Sequence, residues 1–221
     1  MAKLSSQIFS DPVQDSQTTL THRGLERRQS ILTIAYELFL QHGFHAVSLD
    51  DIIQKAGGSK ASIYKYFGDK TGLFRAICDF HLNQRLVKFS QTWQQDVSLE
   101  QYLYQQMQDY YHHVTNPDYY LFMHMLIKQA QPNDELIAHL NERWRNEVAQ
   151  SLENSFVIAH QLGIIHCPNP YFSALHFWGI SHELHWKTLL RLELPKEAMV
   201  MDYLQYSLKQ FLKGHDYQFV E

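Results

Sequence analysis

The sequence predicts an all-α protein of about nine helices, and three observations predict it. Apolar residues recur at three- and four-residue spacing along most of the chain after residue 24, no stretch alternates apolar and polar residues as a half-buried strand would, and the interruptions are turn signals. They fall at Gly43, Gly57-Gly58, Asp96-Val97-Ser98, Asn116-Pro117-Asp118, Gln131-Pro132-Asn133, Gly163, Pro168-Asn169-Pro170 and Glu193-Leu194-Pro195. With 221 residues, 45% of them apolar, the chain can bury one small and one larger core. The expected organisation is an arm over 1–23, a three-helix domain over 24–70 and a helical body over 71–221.

The arm carries SSQ and DSQTT and few large apolar residues, so it cannot bury enough surface to order itself. It reads as a disordered tail; the alternative is an arm that enters a minor groove, with Lys3 and Arg23 as its cations. Helix 1 follows over 25–42, LERRQSILTIAYELFLQH, with Ile31, Ala35, Leu38 and Phe39 on one stripe and Gly43 ending it. Arg27 and Arg28 at its start are candidates for contact with a phosphate backbone.

Residues 48–70, SLDDIIQKAGGSKASIYKYFGDK, hold two short helices joined by a glycine turn. Ser48 can cap the first, with Asp51 three residues on, and Leu49, Ile52, Ile53 and Ala56 form its apolar stripe. Ser59 can cap the second, in which Ile63 and Phe67 face the core while Ala61, Ser62, Lys65 and Tyr66 point away. Two helices crossing through a tight turn can lay the second in a major groove, whose width matches a helix and whose base edges carry a readable pattern. Lys60 and Lys65 can reach phosphates or guanine edges, Tyr64 and Tyr66 can donate to phosphate, and Ala61 and Ser62 permit close approach. Lys70 opens the next helix beside the same backbone, and Ser48, at the start of the first, counts with these residues as a candidate DNA contact. The plainer reading is a helical hairpin with a solvated lysine face. Against it stands helix 1, which completes a three-helix core.

The string RRQSILTIAYELFLQHGFHAVSLDDIIQKAGGSKASIYKYFGDKTGLFRAI resembles the DNA-binding domain of the tetracycline-repressor (TetR) family of bacterial transcription regulators. The resemblance rests on five ordered elements: AYELFLQHGF, SLDDI, KAG, SIYKYF and DK. It implies that Ser62, Tyr64 and Tyr66 sit where the family contacts DNA, that Lys70 binds phosphate, and that Lys60, Ala61 and Lys65 occupy operator-reading positions. One departure stands out. The family usually has a branched apolar residue just before the Ser that caps the recognition helix, and here it is Gly58, which predicts a looser turn and a less rigidly seated helix.

The net charge of −4 divides unevenly: eight basic and seven acidic residues in 1–70 give +1, and eleven against sixteen in 71–221 give −5. Positive charge therefore concentrates where DNA would sit, and binding is expected to need two heads and to weaken steeply with salt.

In the body, 171–192 is apolar nearly all round, which asks for cover on more than one side, and 196–213 places Met201, Leu204, Leu208 and Phe211 on one stripe. The pair suits a four-helix bundle around a two-fold axis, with Gly179 permitting close approach; the alternative is that both serve only the monomer core. The family resemblance implies the same homodimer, a helix 4 linking head to body, and a pocket in the body for a small-molecule effector. Tyr110, His113, Met123, Trp144, Trp178 and His182 are the candidate pocket residues, because adaptable aromatic and methionine side chains suit apolar ligands. Simple core packing is the competing reading of the same residues.

Fourteen histidines invite a metal hypothesis, but the densest group, His176, His182 and His185 with Glu183, does not converge on one face, so no metal or other cofactor is expected. Cys78 and Cys167 read as buried or idle thiols. No GxSxG, HExxH or phosphate-cradling glycine loop is present, which leaves an enzyme reading without support. The sequence thus predicts a cytoplasmic, homodimeric, effector-responsive regulator of a double-stranded DNA operator, repression following from the family resemblance, with no membrane partner. The alternatives are a helical enzyme and a protein-interaction module.

Overall fold

The computed structural model describes residues 21–129 and 135–219, and every regular element among them is helical. Eleven α-helices follow in order: α1 His22–His42, α2 Leu49–Ala56, α3 Lys60–Phe67, α4 Lys70–Phe89, α5 Leu99–Val114, α6 Pro117–Gln129, α7 Glu135–Trp144, α8 Gln150–Gln161, α9 Pro170–Gly179, α10 His182–Leu189 and α11 Glu197–Lys213. The expected all-α class holds, with two more helices than nine. One extra arises where a five-residue π-helical turn, Arg145–Ala149, joins α7 to α8. The other arises because 171–192 is not one helix. The chain breaks at Ile180-Ser181, just after Gly179, where three residues of lower helix propensity follow one another. The Tyr203 hydroxyl donates to the Ile180 carbonyl at 2.8 Å, satisfying an acceptor near the break.

Helix α1 starts three residues earlier than expected, because Thr21 Oγ1 accepts from the Gly24 N–H at 3.3 Å and caps it. His22 and Arg23 are therefore helical, and residues 1–20 of the proposed minor-groove arm lie outside the described residues. No helix among them is long and apolar enough to cross a membrane.

The chain divides into two compact units: the described residues of Met1–Asn83 with Met125–Leu136, and those of Gln84–His124 with Ile137–Glu221. The first is built on α1, whose Ile31, Leu32, Ala35, Leu38 and Phe39 are buried against α2 and α3 together with Val47, Ile52 and Ile63. Phe39, Phe44 and Phe74 close this core, with ring centroids 5.0 to 5.9 Å apart. Each fully buried side chain of this size contributes on the order of 1.5–3 kcal/mol. Gly72 fixes the corner between α3 and α4: a Cβ there would stand 1.9 Å from the Phe67 carbonyl oxygen, so only glycine admits so close an approach. Asp69 Oδ1 accepts from the Gly72 N–H at 2.7 Å.

The second unit packs α8 on α9 and α11 on α5. Phe156, Phe177 and Phe211 meet at its centre, with centroids 5.6 to 6.4 Å apart. The stripe expected to face a partner subunit, Leu204, Leu208 and Phe211, is buried in its own chain together with Val200 and Leu212. Met201, its fourth member, accepts from Gln108 Nε2 at 3.6 Å. The opposite side of α11 is the exposed one: Met199, Tyr203 and Tyr206 are 66%, 42% and 65% exposed, and Phe172 of α9 is 64% exposed. Between α9 and α11 runs a groove of about 390 Å³ lined by His176, Ile180, Tyr203, Tyr206, Phe211 and His215. A Cβ at Gly179 would meet nothing within 4 Å, so among the described residues no helix approaches closely there.

Candidate nucleic-acid interface

Helix α2 begins with the expected capping box. Ser48 Oγ accepts from the Asp51 N–H at 3.1 Å, and Asp51 Oδ2 accepts from the Ser48 N–H at 2.7 Å and from its hydroxyl at 2.7 Å. Those hydrogen bonds hold the Asp51 carboxyl below the usual carboxylate range. Ser48, a candidate DNA contact, thus has its hydroxyl engaged in the cap. Helix α2 ends at Gly57, with φ +74, and Gly58 continues the turn at φ +92, in the left-handed region that favours glycine.

Helix α3 starts without the cap expected of Ser59, whose side chain makes no capping hydrogen bond. Its inward side is Ile63, fully buried, with Phe67 half-buried. Its outward side carries Lys60, Ala61, Tyr64 and Lys65, all exposed, with Ser62 and Tyr66 half-buried beside them. The Tyr64 ring is 55% exposed, and Lys65 Nζ stands 5.7 Å from the Tyr66 ring centroid. Lys70, at the start of α4, lies with Nζ 4.4 Å above the Phe44 ring; partial burial pulls its pKa down, against the opposing pull of Asp51. These side chains form one polar, hydroxyl- and amine-bearing face on a helix of two turns.

Three cations are less open to DNA than the sequence suggested. Lys60 Nζ pairs with Asp50 Oδ2 at 2.8 Å, a hydrogen bond that raises the lysine's pKa. Arg27 Nη1 donates to the Ala56 carbonyl at 2.7 Å and the Gly57 carbonyl at 3.1 Å. Arg28 places Cζ 5.3 Å from the Phe67 ring centroid. At Gly58, where the sequence predicts a looser turn, the Arg27 guanidinium lies over the glycine, with Cζ 3.2 Å from where a Cβ would stand. Asp50 was missed as a residue of this face. The available signal was the Asp50-Asp51 pair opening α2, only ten residues before Lys60.

Of the pocket candidates in the second unit, Tyr110, His113 and Trp178 come together around Phe89, with ring centroids 5.7 to 6.3 Å from it. Phe89 and two further residues of this cluster, Tyr119 and His185, lie outside the candidate set. His185 bridges two phenols, with Nδ1 2.9 Å from the Tyr110 hydroxyl and Nε2 2.9 Å from that of Tyr119. Burial pushes the Tyr110 phenol well above its ordinary range. Trp178 Nε1 is buried with no hydrogen-bond partner among the described residues. His182, by contrast, is exposed, and Met123 and Trp144 are half-buried with no ring contact to this cluster. Of the two histidines at i, i+3, His185 faces this cluster and His182 does not. Both cysteines are buried, and burial pushes the Cys167 thiol up.

Asp50→Asn should release Lys60 and remove a carboxylate from this candidate face. The expected result is tighter DNA binding at low salt and a log–log salt slope steeper by about 0.9 per protomer, since one more phosphate can be neutralised by each head. Fluorescence anisotropy across a salt series measures both.

Residues 31–77 match the family described as bacterial regulatory proteins, tetR family. The HTH-type transcriptional activator FasR of Mycolicibacterium smegmatis is 38% identical over 58 residues, 26% of each chain. The HTH-type transcriptional repressor ComR of Escherichia coli is 38% identical over 61 residues, 28% of this chain and 29% of that one. The chain thus matches little more than a quarter of the length of these curated relatives. Among solved structures, the flavonoid-responsive regulator FrrA superposes with a TM-score of 0.75 at 23% identity, covering 86% of this chain and 96% of that one, a likeness of fold.

Proposed function

We propose, on the match of residues 31–77 to the tetR family of bacterial regulatory proteins, that this chain is a homodimeric, effector-responsive repressor that binds a palindromic DNA operator in the cytoplasm. The observation that carries it is the outward face of α3, where Ala61, Tyr64 and Lys65 are exposed on a helix seated by a capped α2. Tyrosine hydroxyls and lysine amines position the helix on phosphates, and the residues at its first turn reach base edges. Two copies joined across the exposed Phe172, Tyr203 and Tyr206 surface would present two such helices to half-sites about 34 to 36 Å apart. Titration of the protein against genomic fragments, with and without competing non-operator DNA over a salt series, tests the reading. Failure to bind any fragment at low salt, with salt-independent binding of a protein partner, would replace it with a protein-interaction role.

The effector site of this reading is the Phe89, Tyr110, Tyr119, Trp178 and His185 cluster. Its rings favour a planar aromatic ligand, and the unpartnered Trp178 N–H favours one with an acceptor. Binding would favour a conformation that spaces the recognition helices wrongly for the operator, so effector and DNA must antagonise each other reciprocally. A panel of planar phenols and aromatic carboxylates is therefore expected to contain compounds that quench tryptophan fluorescence and release operator DNA. For those compounds Trp178→Phe should raise the concentration needed to release operator DNA by about five- to tenfold, as loss of one buried hydrogen bond implies.

A further inference from the structure

We propose that Arg27 is a positioning residue of the helix-turn-helix, holding the α2–α3 turn in place from α1 rather than contacting the DNA backbone; this rests on the DNA-binding reading above. The carbonyls of Ala56 and Gly57 close α2, where acceptors lack intrahelical partners and the helix dipole favours a cation. Arg27 Nη1 donates to both, at 2.7 and 3.1 Å. The rest of the guanidinium covers the turn: a Cβ at Gly58 would stand 3.2 Å from Arg27 Cζ, 3.3 Å from Nη2 and 3.4 Å from Nε. Gly58 also has φ +92, so any other residue there would be strained as well as crowded.

The bare glycine and the arginine therefore answer each other. Where a branched apolar side chain would pack the turn, this chain leaves a flat seat, and a planar guanidinium from twenty-nine residues upstream of Ala56 fills it. The next residue extends the device, since Arg28 lies over Phe67, the last residue of α3. Consecutive arginines on α1 thus hold the start of the recognition segment and its end. A lysine could not substitute at position 27, because an ammonium is a point charge without the flat face or the forked donors.

Arg27→Lys and Arg27→Gln in the full-length protein separate positioning from phosphate contact. If Arg27 positions the turn, both variants lose about tenfold or more in operator affinity at fixed salt. The slope of log affinity against log salt stays at the wild-type value, and the preference for operator over non-operator DNA narrows. If Arg27 neutralises a phosphate, Arg27→Lys binds like wild type and Arg27→Gln loses about 0.9 in slope per protomer; that result overturns the proposal. Hydrogen exchange of the DNA-free protein gives an independent reading. Peptides covering 53–64 are expected to exchange faster in both variants while peptides from the second unit are unchanged, and exchange at the wild-type rate also overturns it. Wild-type protein that binds no DNA would instead sink the DNA-binding reading, while the exchange measurement still decides the role of Arg27.

Discussion

Phe172→Glu combined with Tyr206→Glu is expected to yield a monomer that has lost operator affinity by roughly a hundredfold or more. Both side chains are about two-thirds exposed, on α9 and α11, and neither is needed to fill the Phe156, Phe177 and Phe211 core behind them. The substitutions should therefore leave the fold intact while placing like charges on both sides of the proposed two-fold contact, where desolvated carboxylates repel. The loss follows because two linked heads bind with an effective concentration that one head lacks, an advantage of about 10² to 10⁴. Sedimentation velocity reads the oligomeric state, circular dichroism the fold, and anisotropy the affinity. A monodisperse monomer that still binds operator at the wild-type level would remove the dimer from the mechanism.

Gly72→Ala is expected to be the most damaging small substitution in the first unit. The new Cβ would fall 1.9 Å from the Phe67 carbonyl oxygen, a backbone atom that cannot swing aside. Helix α4 would have to shift relative to the end of α3, with loss of the Asp69 cap and disturbance of Leu73 and Phe74, which are buried next to it. A cost of about 2–4 kcal/mol is expected for overpacking against fixed backbone. It should appear as a lower thermal midpoint and a loss of DNA binding. Gly179→Ala, where a Cβ meets nothing within 4 Å of its own chain, is the matched control for monomer stability.

Much of the first unit was legible because its signals are local. The Ser48 and Asp51 box, the Gly57-Gly58 turn and the Ile63 stripe depend on residues within four positions of one another, and the structure has all three. What escaped was set by distant pairs. Arg27 reaches Ala56, and Lys60 turns to Asp50, so two cations that looked available for phosphate are held within the protein. Periodicity identifies that a lysine faces outward and says nothing of which carboxylate it meets. In the second unit the same limit applied to α11, where apolar residues lie on two sides and spacing alone could not tell the buried Leu204 and Leu208 side from the exposed Tyr203 and Tyr206 side. The split between α9 and α10 was hinted at by Gly179, Ile180 and Ser181, but hydrophobic continuity across them outweighed weak propensity.

The bridge from Tyr110 through His185 to Tyr119 carries a sense of direction. When its imidazole is neutral, His185 donates from one nitrogen and accepts at the other, so that one phenol gives its proton toward the ring while the other receives. The same atoms admit two opposite orderings, interchanged by moving the ring proton and turning both hydroxyls. A newcomer that claims either phenol's proton selects one ordering, and the choice made at Tyr110 on α5 is thereby imposed at Tyr119 on α6 without any displacement of heavy atoms.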